Sequence, residues 1–214
     1  MKTIHNIIKR VFDIIGSLAF LAIFFPIYLI VGLAVIIDSK GPVIFKQLRL
    51  GFNGKEYYIF KFRSMVINAE NMGTGLFNYA NDPRVTKVGH FIRNTSLDEI
   101  PQIFNILKGD MSFVGPRPPV NYELGDYKDF TGDLKLRFRV KPGVTGYAQI
   151  SGRNELSWDE KIIHDNRYIE DFYKWGILVD IKVIFITIIK VLKNEGGHEL
   201  EENSEKDKQR VKKD

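Results

Sequence analysis

From Ile14 to Ile37 the chain runs twenty-four residues without a charge, and Pro26 stands in the middle of the run. As one helix this stretch reaches about 36 Å, enough to cross a bilayer core of roughly 30 Å, so membrane contact is the first constraint on the fold. Proline has no N–H and its ring clashes with the preceding turn, so a break or kink is expected at Pro26. Each half, at about 18 Å, is too short to cross alone. Both flanks are basic: Lys2, Lys9 and Arg10 precede the run, and Lys40, Lys46, Arg49 and Lys55 follow it. Lys and Arg collect on the cytoplasmic side of membrane segments, so the economical reading is a re-entrant hairpin that dips into one leaflet and returns. A kinked single span is the alternative. A cleaved signal peptide is disfavoured, because the run is too long and no small-residue cleavage pattern follows it.

The rest of the 214 residues suffices for a real core. With no cysteine there is no disulfide, thiolate metal site or thiol nucleophile. A net charge of +5 admits nucleic acid, anionic lipid or phosphorylated small molecules without choosing among them. Several chemistries are missing their signatures: there is no G-x-x-x-x-G-K-[ST] phosphate loop, no Gly-x-Ser-x-Gly elbow, no His-Glu-x-x-His zinc site and no D-x-D metal motif.

The pattern after the apolar run is α+β. Val43–Arg49 and Glu56–Arg63 are β-rich and separated by Gly51-Phe52-Asn53-Gly54, which reads as a hairpin. Strand alternation puts Lys61 and Arg63 on one side, either as a solvated face or as a cation pair for phosphates. Ser64–Met72 reads as a short helix, 73–82 as a Gly/Asn-rich loop, Ile100–Leu107 as a helix stopped at Gly109, and Tyr147–Ile150 as a short strand. Ser157-x-x-Glu160 is a capping box opening a helix whose apolar seam holds Trp158, Ile162, Ile169 and Phe172, with Asp165 on the same face. A carboxylate there calls for a buried ion pair or an active-site or metal role. Gly176–Leu192 is apolar but interrupted by Asp180, Lys182 and Lys190, as in a helix lying at a membrane interface. The expected organisation is 1–40 membrane-dipping, 41–193 catalytic with interfacial helices, and 194–214 a disordered charged tail.

The chemistry concentrates in Arg93-Asn94-Thr95-Ser96-Leu97-Asp98-Glu99-Ile100-Pro101-Gln102 and in Gly115-Pro116-Arg117-Pro118-Pro119. One reading of the first is a capping box, Ser96-x-x-Glu99, with Asp98 favourably placed at a helix start. The other is a pair of carboxylates beside a phosphate site, with Arg117 on proline-fixed backbone as a guanidinium fork. Arg153, behind Gly152, is a further phosphate candidate.

Together these segments resemble the bacterial sugar transferase family, the monotopic phosphoglycosyl transferases. The resemblance runs from about Lys9 to Lys193. It is carried by Lys9-Arg10-x-Phe12-Asp13, the proline-interrupted apolar run, Gly41-Pro42-Val43-Ile44-Phe45-x-Gln47-x-Arg49, Lys61-Phe62-Arg63-Ser64-Met65, Ser96-Leu97-Asp98-Glu99-x-Pro101-Gln102, Gly115-Pro116-Arg117-Pro118, Lys141-Pro142-Gly143-Val144-Thr145-Gly146 and Gly152-Arg153-Asn154. Phe25 stands before Pro26 where many relatives have Ser. The resemblance implies transfer of a sugar-1-phosphate from a UDP-sugar to undecaprenyl phosphate through an aspartyl-phosphosugar intermediate, as a first membrane step of surface-glycan assembly. In that scheme Asp98 is the nucleophile and Glu99 a magnesium ligand. Lys61, Arg93, Arg117 and Arg153 bind phosphate, and Asp165 is a second carboxylate for Mg2+. The implied partners are the donor, the lipid acceptor and membrane lipids, with no nucleic acid, at the cytoplasmic face of a bacterial inner or plasma membrane. A non-catalytic basic module anchored to the membrane, binding anionic lipid or nucleic acid, is the competing reading.

Overall fold

The computed structural model describes residues 2–72, 82–152 and 155–193. Its first element, α1, is a single helix from Lys2 to Asp38 with Pro26 inside it. The break expected at Pro26 is therefore not what the structure shows. The missing N–H costs one turn its bond, but residues on both sides of the proline are docked on the same body. Lys9, Asp13 and Ser17 are buried before it, and Val31 and Val35 after it. The spacing of these residues is that of one helical stripe. The rest of the surface, including Ile15, Ile23, Phe25, Leu29 and Ile37, is exposed and apolar.

Polar side chains fix both ends of α1. Near its start the Lys9 ammonium donates to the Val114 carbonyl (2.9 Å), the Tyr168 hydroxyl (3.2 Å) and Asp180 Oδ2 (2.5 Å). Arg10 donates to the carbonyls of Ile106 (2.6 Å) and Leu107 (2.7 Å), and Asp13 Oδ1 accepts from Ser112 Oγ and the Phe113 N–H. At the far end Asp38 accepts from the Val88 N–H, while Arg63 donates to the carbonyls of Ser39 (2.6 Å) and Lys40 (2.8 Å). Arg63 thus caps the helix C-terminus, where unpaired carbonyls favour a cation. Of the two readings of Lys61 and Arg63, neither a shared solvated face nor a cation pair is formed, because Lys61 is bonded to Glu99 and Arg63 to the carbonyls that end α1.

The hairpin is as expected: β1 (Ile44–Leu50) and β2 (Glu56–Phe62) pair antiparallel, Ile44 opposite Phe62 and Leu50 opposite Glu56. Asn53 takes φ 53° in the turn, a value asparagine tolerates. Two other expectations change. Ser64–Met72 holds only a 3-10 turn at Ala69–Asn71, entered through left-handed Asn68. Tyr147–Ser151 is a short helix, α5, and the strand there is its predecessor Gly143–Thr145 (β4), parallel to β3 (Ser112–Val114). Between lie α2 (Lys87–Asn94), α3 (Gln102–Lys108, stopped at left-handed Gly109) and α4 (Gly132–Leu136).

The last two helices are α6 (Trp158–Trp175) and α7 (Ile177–Leu192). The Ser157/Glu160 capping box is formed in full. One face of α7 buries Val179, Asp180 and Val183, and the other exposes Leu178, Ile181, Phe185, Ile188 and Leu192. The expectations for 73–81, for Arg153 and for the tail fall outside the described residues.

Candidate active site

Ser96 adopts φ 57°, ψ 15° and makes no side-chain cap. The capping-box reading of Ser96–Glu99 is thereby overturned: a left-handed residue cannot hold its hydroxyl over the next turn, and Glu99 points elsewhere. The left-handed kink starts a 3-10 turn, Leu97–Glu99, before Pro101 leads into α3. Leu97 and Ile100 of this turn pack into the cluster that contains Val31 and Val35 of α1. The apolar sides of the turn are consumed by the long helix, and the carboxylates of Asp98 and Glu99 face away from it toward β2.

Alignment with β2 is set by Asn105 on α3, which is fully buried. Its Oδ1 accepts from the Phe60 N–H (2.9 Å) and its Nδ2 donates to the Tyr58 carbonyl (2.7 Å). That brings Lys61 Nζ to 2.9 Å from Glu99 Oε1 and 3.9 Å from Asp98 Oδ2. Both Nη atoms of Arg117 lie 3.4 Å from the same Glu99 oxygen. Side-chain exposure rises from 10% at Glu99 through 17% at Lys61 to 34% at Arg117, so the site opens on the arginine side.

Burial pulls the Lys61 ammonium below the ordinary lysine value, and the Glu99 and Asp98 carboxylates recover only part of that. At Arg117 burial also opposes the charge, but the same two carboxylates outweigh it and the guanidinium is held above its usual value. Two adjacent carboxylates thus face two cations, an arrangement whose cations have the geometry and charge to take phosphate oxygens in exchange for carboxylate ones.

Arg93 stands in the last turn of α2, where its charge adds only a little to the hold of Arg84 on the Asp82 carboxylate, and Asp165 is paired elsewhere. Asp165 is 1% exposed, and its Oδ2 accepts from Arg137 Nε (3.0 Å) and Nη2 (2.7 Å). Of the alternatives for that seam carboxylate, the buried ion pair is the one formed. Among the described residues no three His, Cys, Asp or Glu side chains gather into a cation cage. The Asp98–Glu99 pair fits the other arrangement for Mg2+, in which one or two protein carboxylates act with substrate phosphate oxygens and water.

Two residues not nominated from sequence stand beside the site. Arg49 donates to the Pro118 carbonyl (2.9 Å) and to Gln47, and Arg137 donates to the Arg117 carbonyl (2.8 Å). Arg49 lies in the Gln-x-Arg segment that carries part of the resemblance; no pattern flags Arg137.

The profile of the family described as bacterial sugar transferase matches residues 4–194. The chain belongs to the bacterial sugar transferase family. Among curated members, the UDP-glucose:undecaprenyl-phosphate glucose-1-phosphate transferase of Klebsiella pneumoniae is 45% identical over 203 residues, covering 92% of this chain and 43% of that protein. The galactosyl transferase CpsE of Streptococcus agalactiae is 44% identical over 207 residues, covering 92% and 44%. An uncharacterized sugar transferase of Bacillus subtilis, EpsL, is 40% identical over 191 residues, covering 89% and 90%. The chain thus spans less than half the length of the first two of these sugar transferases and matches nearly all of the third.

Proposed function

We propose that this chain transfers a sugar-1-phosphate from a UDP-sugar to undecaprenyl phosphate. The observation that carries the reading is the pair Asp98–Glu99, set on a strained turn against the apolar helix and facing Lys61 and Arg117. The similarity to the Klebsiella glucose-1-phosphate transferase supports it.

In the first half-reaction Asp98 attacks the sugar-linked phosphorus, the bond to the bridging oxygen breaks, and UMP leaves with that electron pair. In the second, a phosphate oxygen of the lipid attacks the same phosphorus, and the aspartyl bond breaks to return the carboxylate. Glu99, gripped by both cations, is the group that keeps Lys61 and Arg117 in place between steps, and it would hold Mg2+. When bound, Mg2+ supplies charge neutralisation on the diphosphate. Lys61 and Arg117 bind the phosphate oxygens. Arg93 and Arg153 are assigned no step.

Membrane attachment is read from the two ends of α1. Lys9 and Asp38 are both bonded to the same body, so a helix of this kind places its ends on one side of a bilayer, with its apolar flank and that of α7 entering a single leaflet. This supports a monotopic reading over a single span, with α1 lying along one leaflet as an unbroken helix rather than a hairpin, and with the site at the cytoplasmic headgroup level where both substrates meet. A non-catalytic basic module is disfavoured because Lys61, Arg63, Arg84 and Arg137 are turned inward onto carboxylates and carbonyls. They form no outward patch.

The test is UMP release across a panel of UDP-sugars, with and without polyprenyl phosphate, using donor labelled in the sugar. The expected outcome is UMP from one donor and a labelled protein adduct when lipid is withheld, both lost in Asp98→Asn. Undiminished turnover in that variant would overturn the reading.

A further inference from the structure

The segment Pro116–Pro119 carries Arg117 and contains three residues with no N–H to give. It is anchored instead through its carbonyls, each of the four accepting one bond. Pro116 accepts from the Gly143 N–H (3.0 Å) and Pro119 from the Leu50 N–H (3.1 Å). The two between them accept from side chains: Arg117 from Arg137 Nη2 (2.8 Å) and Pro118 from Arg49 Nη1 (2.9 Å). Both guanidiniums are costly to bury, and each is fixed in turn. Arg137 is held by the Asp165 carboxylate and stacks on the rings of Phe138 and Trp158; Arg49 is held by Gln47. Burial drives Arg49 below the ordinary arginine value, with Glu123 opposing it and Arg117 adding to it.

A small, partly open cleft, lined by Leu50, Arg117, Pro119, Arg137 and Phe138 among others, lies against this segment. Without the two side-chain bonds the segment is held only at its ends, by the backbone bonds to Pro116 and Pro119. Arg117 reaches Glu99 at 3.4 Å through both Nη atoms, a fork that a shift of an ångström would misalign.

We infer that Arg49 and Arg137, the latter oriented by Asp165, are positioning residues that clamp the backbone of the proline segment so that the Arg117 guanidinium is aimed at the transferring phosphate. This rests on the proposed phosphate transfer. It gives Asp165 a role other than metal binding: the carboxylate acts through Arg137 on the arginine that meets substrate.

The experiment is a set of double-mutant cycles on UMP release. Arg49→Lys, Arg137→Lys and Asp165→Asn are each measured in the parent and in an Arg117→Ala background, or Arg117→Lys if alanine falls below detection. Rates are normalised to folded protein by thermal melt. A clamp lowers kcat at least about tenfold in the parent, with a smaller change in KM for the donor, and by less than about twofold once Arg117 is gone. Equal losses in both backgrounds, or loss confined to folded yield, would overturn it. Arg49 acts on Pro118 and the Arg137–Asp165 pair on Arg117, so a variant that fails to fold in one arm leaves the other to decide. Parent protein that releases no UMP counts against the proposed function; parent turnover with additive losses counts against the clamp alone.

Discussion

Glu99 sits between two cations, and its charge opposes the effect of burial on the Lys61 ammonium. Because burial pulls the ammonium down and Glu99 is the foremost group pushing it up, removing that carboxylate lowers the lysine further. Acylation of Lys61, followed against pH by mass spectrometry, should reach half its limiting rate below the pH of an ordinary lysine. In Glu99→Gln that midpoint should move lower still. An unchanged or raised midpoint would mean that Glu99 is not its governing partner. At this scale the sequence was informative about four side chains that gather and silent on how they are held. Asp98, Glu99, Lys61 and Arg117 are marked by motif, whereas the left-handed Ser96 that turns Glu99 away from a cap leaves no signature, since serine rarely takes that conformation. Arg49 and Arg137 were missed because side chains that bond to distant carbonyls follow no periodicity.

The elements are joined by buried charge at the start of α1. Lys9 meets Asp180 of α7, the Tyr168 hydroxyl of α6 and the Val114 carbonyl of β3, and Asp180 is itself 1% exposed. Burial alone would raise the Asp180 pKa; Lys9 opposes that without cancelling it. Lys9→Met leaves the carboxylate without its cation and should cost about 3–5 kcal/mol in a denaturation midpoint experiment. Pairing it with Asp180→Leu should recover most of the loss, because two apolar groups of similar volume leave no stranded charge. If the double variant is no more stable than the single, the pair is not the joint. Hairpin, capped α6 and amphipathic α7 were all legible from local pattern. The short strand was misplaced by a few residues, since Gly143–Thr145 is a strand only through its partner Ser112–Val114, far away in sequence.

For the whole molecule the decisive property is that α1 lies along the rest of the chain rather than leaving it. Length and composition alone allow a crossing helix, and Pro26 alone suggested a break; neither showed that both arms would share one docking stripe. The chain has no cysteine, so single cysteines can be introduced as reporters. Thr3→Cys and Lys40→Cys, both at exposed positions, should react with a membrane-impermeant maleimide from the same face of sealed vesicles. Labelling from opposite faces would establish a span and refute the monotopic arrangement.

The Lys9–Asp180 contact joins residues 171 positions apart. A ribosome therefore delivers the greasy first helix long before the partner for its basic end exists. Within this stretch the apolar helix is made before the body it docks on, so the Lys9–Asp180 bond closes only after α7 has been made.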